Sequence, residues 1–576
     1  MLPILRTILI TLSLNTWIFC QTKFCQPLEA CWPNQEIIEE FVSSLSETEG
    51  CHDLPTFSSY DQQGEPMKNI WYPELEEEIT PYNLLTTRNS ISGNKAYFVV
   101  LARTEADVIS SIKFAKSHSI ALSVFSTGHE FNDRNGGLAT NSILIRTTCL
   151  RTADINLEPS TVFNHTEGVI RLGSGMTWSW SKFGDVGVHQ LANQVGRVVV
   201  SGHAGNVGIV GWSLGGGHGQ LVGTYGMGVD QVLEVEMIIA NGTKVIANSM
   251  GTTQVLQDGT QLQSEDSSLF WALRGGGAGP WGVITAMKIK LHKPRNDCKE
   301  NCFTQWHASW VGSYAEDGPE LLQELIHNYL KWSGTSSKYW SSYASPYSVD
   351  DDHFGFAIFE ALFVGTEKDN DFLSFFETFS SVRPDKMVDI GSETYDTFLK
   401  KIEDQTPETV MPKWEVEPMT SVLMNSSSVA NTAAAEMLAY NWIPRCYLQW
   451  TPCIGGILFM HTVSTGEEDD YYTGTAVSPM FRQAKMHVSA LSYISLTHEM
   501  SFEEKVKFAH EEIGPEFYKF GSGSYYSESE YSLGKGEWQT RFWTQDIYDR
   551  LLAIKREWDP DFLFGCKHCV GDEEEP

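Results

Sequence analysis

The chain has 576 residues, 41% hydrophobic and 12% aromatic, which is too long for one core and too apolar for disorder, so two or more globular domains are expected. Its formal net charge of -32 repels phosphate backbones and anionic lipid, excluding nucleic acid and membrane surfaces as partners. Acidic runs such as Glu467 to Asp470 and Asp572 to Glu575 read as solvated surface.

Residues 1–20 join one arginine to a short apolar run, the pattern of a secretory signal cleaved near Cys20. Without Cys20, the 11 cysteines become ten, an even number that suits disulfides in an oxidising compartment. Cys25, Cys31 and Cys51 cluster; Cys298 and Cys302, Cys446 and Cys453, and Cys566 and Cys569 are local couples, while Cys149 stands apart. A zinc site from Cys298, Cys302, Cys566 and Cys569 is the weaker alternative, so no metal is expected. Sequons at Asn164, Asn241 and Asn425 agree with a secreted, extracellular glycoprotein.

Residues 21–90 read as a cysteine-bearing amino-terminal cap. Ala96 to Ala102 is a strand, and the next segment is a helix with Thr104 as N-cap, Asp107 in the capping-box position, and Val108, Ile112 and Ala115 as its buried stripe. Ala121 to Thr127 is a strand again, completing a βαβ unit. The glycine turn STGHEFNDRNGG follows, where ligands of α/β folds bind. Its His129 has three readings: a nucleophile, a metal ligand or a capped core histidine. Val232 to Ser249 predicts two strands joined at Asn241-Gly242. In Ala286 to Lys293, Met287, Ile289 and Leu291 alternate with lysines, so one face should be wet. The glycine-rich character ends at Pro294, and a second domain is expected from residue 295.

Two further stretches, Val207 to Gly226 and Leu273 to Thr285, are dense in glycine without being low complexity. No GK[S/T] follows either, which excludes a P-loop. One such run would be a tight turn; three together favour a large anionic cofactor held by backbone amides.

With these motifs in view the sequence resembles the FAD-linked oxidases of the vanillyl-alcohol-oxidase (PCMH-type) superfamily, berberine-bridge-enzyme-like branch. STGHEFNDRNGG resembles the flavin-attachment loop, GRVVVSGHAGNVGIVGWSLGGGHGQLVGTYGMGVDQVLE the pyrophosphate and isoalloxazine segment, DSSLFWALRGGG a family signature, and YDRLLAIKREWDPDFLFGCKHCVG the carboxyl-terminal module. The sequence also resembles secreted fungal isoamyl-alcohol-oxidase-like proteins, down to the element Cys31-Trp32-Pro33. The resemblance implies an α+β fold: a two-subdomain FAD-binding domain at 91–294, a substrate domain with an antiparallel sheet backed by helices at 295–500, and a module at 501–576 returning to the FAD domain.

It also implies cofactor-binding residues: Ser126, Thr127, Gly128, His129 and Glu130 in the first loop, Val207, Gly208, Gly211, Gly215, Gly216, His218 and Gly219 in the second, and Gly282 and Val283 in the third. By resemblance His129 is joined to the flavin 8α carbon, which raises the flavin's potential. The family's second link is a cysteine three residues before the V-G-x-x-G element. Here that position is Ala204, so attachment through His129 alone is expected. Val207 occupies the oxygen-gating position and favours O2 as acceptor.

Alcohol oxidation also needs a base for the hydroxyl proton. The family glutamate aligns with Ala490, leaving His487 on the same strand and Tyr525, in the family's G-x-Y-x-N element with Ser527 at the asparagine slot, as catalytic candidates. The function expected is hydride transfer from an alcohol or carbohydrate to FAD, then to O2 with H2O2 as product. The competing readings are an oxidative cyclase or desaturase of secondary metabolism and a non-catalytic flavin-binding glycoprotein.

Overall fold

The structure is a computed structural model that describes residues 24–46, 57–59, 96–130, 132, 134, 142–179, 186–350, 352–405, 418–442, 454–463, 474–495 and 500–574. The expected signal segment, Cys51, Cys446 and Cys453 lie outside the described residues. Among the described residues no helix is long and apolar enough to cross a membrane.

Three sheets carry the fold. The first contains the expected βαβ unit, but its strands Ala96–Leu101 and Leu122–Phe125 are not neighbours. Ser142–Arg146 lies between them, parallel to both, and Phe57–Ser59 pairs antiparallel at the edge. The helix Glu105–Ser117 opens with the anticipated Thr104–Asp107 capping box and buries Val108, Ile112 and Ala115.

The second sheet is antiparallel, in the order Gln261–Ser264, Gly251–Val255, Lys244–Asn248, Val232–Ile238, Val283–Lys290, Val169–Gly173, Ala153–Asn156. Asn241-Gly242 closes the hairpin, with Gly242 at φ +80°. The lysine face of Val283–Lys290 is drier than its alternation suggested. Lys288 pairs with Glu234 at 2.8 Å, and burial lowers the Lys290 pKa. Neighbouring acidic strands supply the partner that a short sequence window does not reveal.

The third sheet is antiparallel too, in the order Met387–Tyr395, Phe303–Ser313, His353–Val364, Trp340–Ser348, Ile454–Thr462, Met486–Ser495, Thr420–Met424. Helices Gly318–Thr335 and Thr432–Trp442 back it. Trp306, Trp310 and Trp340 join that core.

The carboxyl-terminal segment returns as expected. Leu563 and Phe564 enter the core of the first sheet, and Phe564 bridges to Leu122. The cores ignore the expected boundary at residue 295: one cluster unites Ile170 to Leu291 with Phe303, Val364, Phe398 and Trp538 to Val570. Cys298–Cys302 and Cys566–Cys569 are disulfides, which removes the zinc alternative; Cys25–Cys31 is a third and Cys149 is also disulfide-bonded.

Candidate active site

Strand Leu122–Phe125 ends in the turn that carries Ser126, Thr127, Gly128, His129 and Glu130. Gly128 has φ +79°, a left-handed conformation that a side chain resists. Arg146 Nη2 and Thr148 Oγ1 donate to the Ser126 carbonyl, at 3.1 and 2.8 Å. Thr127 Oγ1 accepts from the Gly208 amide at 3.0 Å, tying the first glycine loop to the second. Glu130 serves its own loop: it accepts from the amides of Asn132 and Arg134 and pairs with the Arg134 guanidinium at 2.7 Å. That guanidinium lies 3.8 Å over the Tyr526 ring, so the carboxyl-terminal segment clamps the turn.

Val207 and Gly208 lead into the short helix Ile209–Leu214. A methyl group added at Gly211 meets no atom of the described residues within 4 Å beyond its own helix, so this backbone is open on that side. At Gly219 it would sit 1.9 Å from the Ser201 carbonyl, and at Gly215 and Gly216 it would press on Ser527 and Phe481. Gly282, at φ +144°, brings its backbone against the Ile238 carbonyl, where a Cβ would stand at 2.5 Å. Val283 is fully buried in the first-sheet core. This third pair therefore serves strand packing. Around the first two loops, Ser174 Oγ, Asn132 Oδ1 and Arg134 Nε and Nη2 are buried without hydrogen-bond partners among the described residues. Bare backbone, open space and orphaned polar atoms fit an extended polar cofactor such as FAD.

Beside the glycine run the structure gathers the two catalytic candidates. Strand alternation turns His487 to this side, whereas Met486, Val488 and Ala490 face the helix-backed core. Ala490 is therefore on the wrong face for a base, and its lack of a carboxyl says nothing about proton removal. His487 is fully buried, its ring centroid 5.9 Å from that of Tyr525, and neither its Nε2 nor the Tyr525 hydroxyl has a hydrogen-bond partner among the described residues. Burial lowers the His487 pKa to about 4, so the imidazole is neutral near pH 7. Burial and then Glu528 push the Tyr525 phenol well above its ordinary 10. Tyr525 is therefore a hydrogen-bond donor, and the proton-accepting role expected of it falls away.

The sequence reading missed most of the surroundings. His461, on the strand next to His487, is buried with neither nitrogen hydrogen-bonded among the described residues, and its ring centroid lies 3.9 Å from that of Tyr343, tilted by 40°. Glu528 accepts from His218 Nε2 at 3.3 Å and faces His487 Nδ1 at 3.6 Å. Burial would raise the Glu528 pKa, but the adjoining His218 outweighs it and holds the carboxylate ionised. His203 Nδ1 contacts Glu360 at 3.3 Å, and Glu360 pairs with buried Lys401. Pattern signals existed for two of these: Glu528 lies within GSGSYYSESEY, and His461 is the polar residue in the apolar strand GILFMHTV. Glu360 and Lys401 carried none.

Asn164, Asn241 and Asn425 are all exposed, which a modified asparagine requires.

Residues 96–248 match the family described as FAD binding domain, and 508–571 that described as berberine and berberine like. The FAD-linked oxidoreductase apf9 of Gibberella fujikuroi is 23% identical over 614 residues, spanning 99% of this chain and 97% of that protein. The crystal structure of the VAO-type flavoprotein MtVAO713 from Myceliophthora thermophila C1 superposes with a TM-score of 0.73 at 20% identity. It covers 96% of this chain and 97% of the other. Glucooligosaccharide oxidase from Acremonium strictum, described with a 6-S-cysteinyl, 8α-N1-histidyl FAD, gives a TM-score of 0.63 at 15% identity, covering 87% and 97%.

Proposed function

We propose that this chain, an FAD-linked oxidoreductase of the vanillyl-alcohol-oxidase type with a berberine-like carboxyl-terminal segment, is a secreted oxidase of alcohol or sugar carbinols. FAD, when bound, supplies the two-electron acceptor for the carbinol hydride and passes the pair to O2 as H2O2. The glycine-lined backbone from Val207 to Gly219 and the turn at Ser126 to Glu130 hold the cofactor. His129 is its sole covalent attachment, since Ala204 offers no thiol where a bicovalent relative has one.

His487 takes the substrate's hydroxyl proton at Nε2, while its Nδ1 faces Glu528, which stabilises the imidazolium formed. Tyr525 donates a hydrogen bond to the same substrate oxygen and orients it. Burial of both rings excludes water from the proton transfer. Val207, a small side chain, leaves room for O2. The observation that carries this reading is a buried imidazole whose Nε2 has no hydrogen-bond partner among the described residues, opposed to a phenol equally without one, beside an open glycine backbone. Support for a carbohydrate-sized substrate comes from the structural likeness to an oligosaccharide oxidase. The disulfides and the exposed sequons support secretion.

The test is to denature secreted protein in acid, wash the pellet and assay flavin, beside His129→Ala. Flavin held by the wild type and lost from the mutant is the expected result; retention in both refutes attachment through His129 alone. Peroxide release on a panel of alcohols and sugars then tests the oxidase assignment, and silence on all of them overturns it.

A further inference from the structure

We propose that His218, His461 and His487 together form a binding site for one divalent transition-metal ion of the zinc or copper class. Three elements converge on it: the glycine run carries His218, strand Ile454–Thr462 carries His461, and strand Met486–Ser495 carries His487. The ring centroids stand 5.3, 5.5 and 5.9 Å apart, and one nitrogen from each ring lies within 4.8 Å of the others. All three side chains are more than nine-tenths buried, at 5%, 8% and 0% exposure. Each has a nitrogen with no hydrogen-bond partner among the described residues: Nδ1 of His218, Nε2 of His487 and both nitrogens of His461.

A tetrahedral ion with bonds of about 2.0 Å holds its ligand nitrogens about 3.3 Å apart, so each ring needs to shift by less than about 1 Å. The surroundings suit a cation. Glu528 lies behind two of the three imidazoles, through His218 Nε2 and His487 Nδ1, the carboxylate–histidine–metal relay seen in built sites. Tyr343, Phe481 and Tyr525 close the apolar wall. Imidazole donors without thiolate select zinc or copper over calcium and magnesium.

The consequence for turnover rests on the reading of His487 as proton acceptor. An ion on that ring occupies the lone pair the substrate needs, so the metal acts as an inhibitor rather than a cofactor. The binding claim is independent of that reading, and the test separates them. The flavin-loaded protein, stripped with chelator, is titrated with Zn2+ by calorimetry and with Co2+ by its d–d absorbance to the red of the flavin band.

One ion per chain is expected, with tetrahedral Co2+ intensity displaced by Zn2+. His461→Gln should weaken binding on the order of 100-fold or more, and Glu528→Gln by about 10- to 100-fold. Retained flavin content and melting midpoint certify that each variant is folded. His165→Ala disables the other His/Glu cluster, His165–Glu167–His292, and should leave affinity unchanged. No binding above the stoichiometry of the His461→Gln variant, or loss of binding in His165→Ala, overturns the proposal. Stoichiometric binding without inhibition would keep the site and refute the base assignment instead.

Discussion

Lys555 is wholly buried on helix Gln545–Trp558, and its ammonium donates to Asp559 Oδ2 at 2.5 Å, the Pro280 carbonyl at 2.5 Å and the Phe564 carbonyl at 2.6 Å. Asp559, equally buried, also accepts from the amides of Leu563 and Phe564 at 3.0 and 2.9 Å. These contacts fold the carboxyl-terminal segment back onto the sheet beneath the His129 turn. Lys555→Met keeps the stem's bulk but strands a carboxylate with no counter-ion, which costs about 3–5 kcal/mol. With about 2.1 cal/mol/K of unfolding entropy per residue over 576 residues, that lowers the melting midpoint by about 3–4 °C if the chain melts as one unit. Lys555→Met with Asp559→Asn removes the stranded charge while keeping an acceptor for one of the two amides, and should recover part of the loss. Differential scanning calorimetry of the three proteins decides it. A single variant within 1 °C of wild type, or a double variant less stable than the single one, refutes the argument that an unpaired buried charge dominates.

His487→Gln should lower kcat by about 10²–10⁴-fold with flavin content intact, and Tyr525→Phe by less, because only the former removes a proton acceptor; equal effects in single-turnover flavin reduction would refute the division of roles. The fold should also be acid-labile in a defined window. Burial lowers the pKa of His487 to about 4 and of His189 and His568 to about 3, while their unfolded values are near 6.5. Below pH 6.5 the unfolded chain takes up protons that the folded chain refuses, so stability present above 6.5 is lost as pH falls toward 4 and then 3. The slope approaches about 1.4 kcal/mol per pH unit for each group. A melting midpoint flat from pH 7.5 to 4.5, or unchanged in slope by His568→Gln, contradicts this.

Much of the cofactor half was legible because its signals are local. A capping box spans four residues, a hairpin needs only Asn241-Gly242, and a left-handed turn declares itself through Gly128. The substrate half was not, because its site is assembled across strands. His461 and His487 are 26 positions apart and meet only through the pairing of Ile454–Thr462 with Met486–Ser495. Glu360 and Lys401 find each other across 41 positions. Ala490 misled for a related reason: a shift of one position along a strand exchanges the two faces, and alignment alone does not fix which face holds the base.

The distribution of charge in the pocket gives the base assignment its physical ground. Arg482 is held by Asp230 through two 2.8 Å bonds and Lys401 by Glu360, so these buried charges are already committed to partners. Pulling any of them toward a substrate would leave its partner uncompensated, at a cost of several kcal/mol. Among the described residues, Nε2 of His487, both nitrogens of His461 and the Tyr525 hydroxyl have no hydrogen-bond partner, and burial favours the neutral form of all three groups. A neutral acceptor in an apolar site avoids the desolvation penalty that a glutamate would pay while waiting for substrate. The positive charge it acquires on accepting a proton forms next to the Glu528 carboxylate, where the ionised neighbour lowers its cost. In this arrangement Glu528 acts through His487 rather than on the substrate. Replacing it with Gln should therefore depress the apparent pKa of the activity profile and slow proton transfer, without displacing bound substrate.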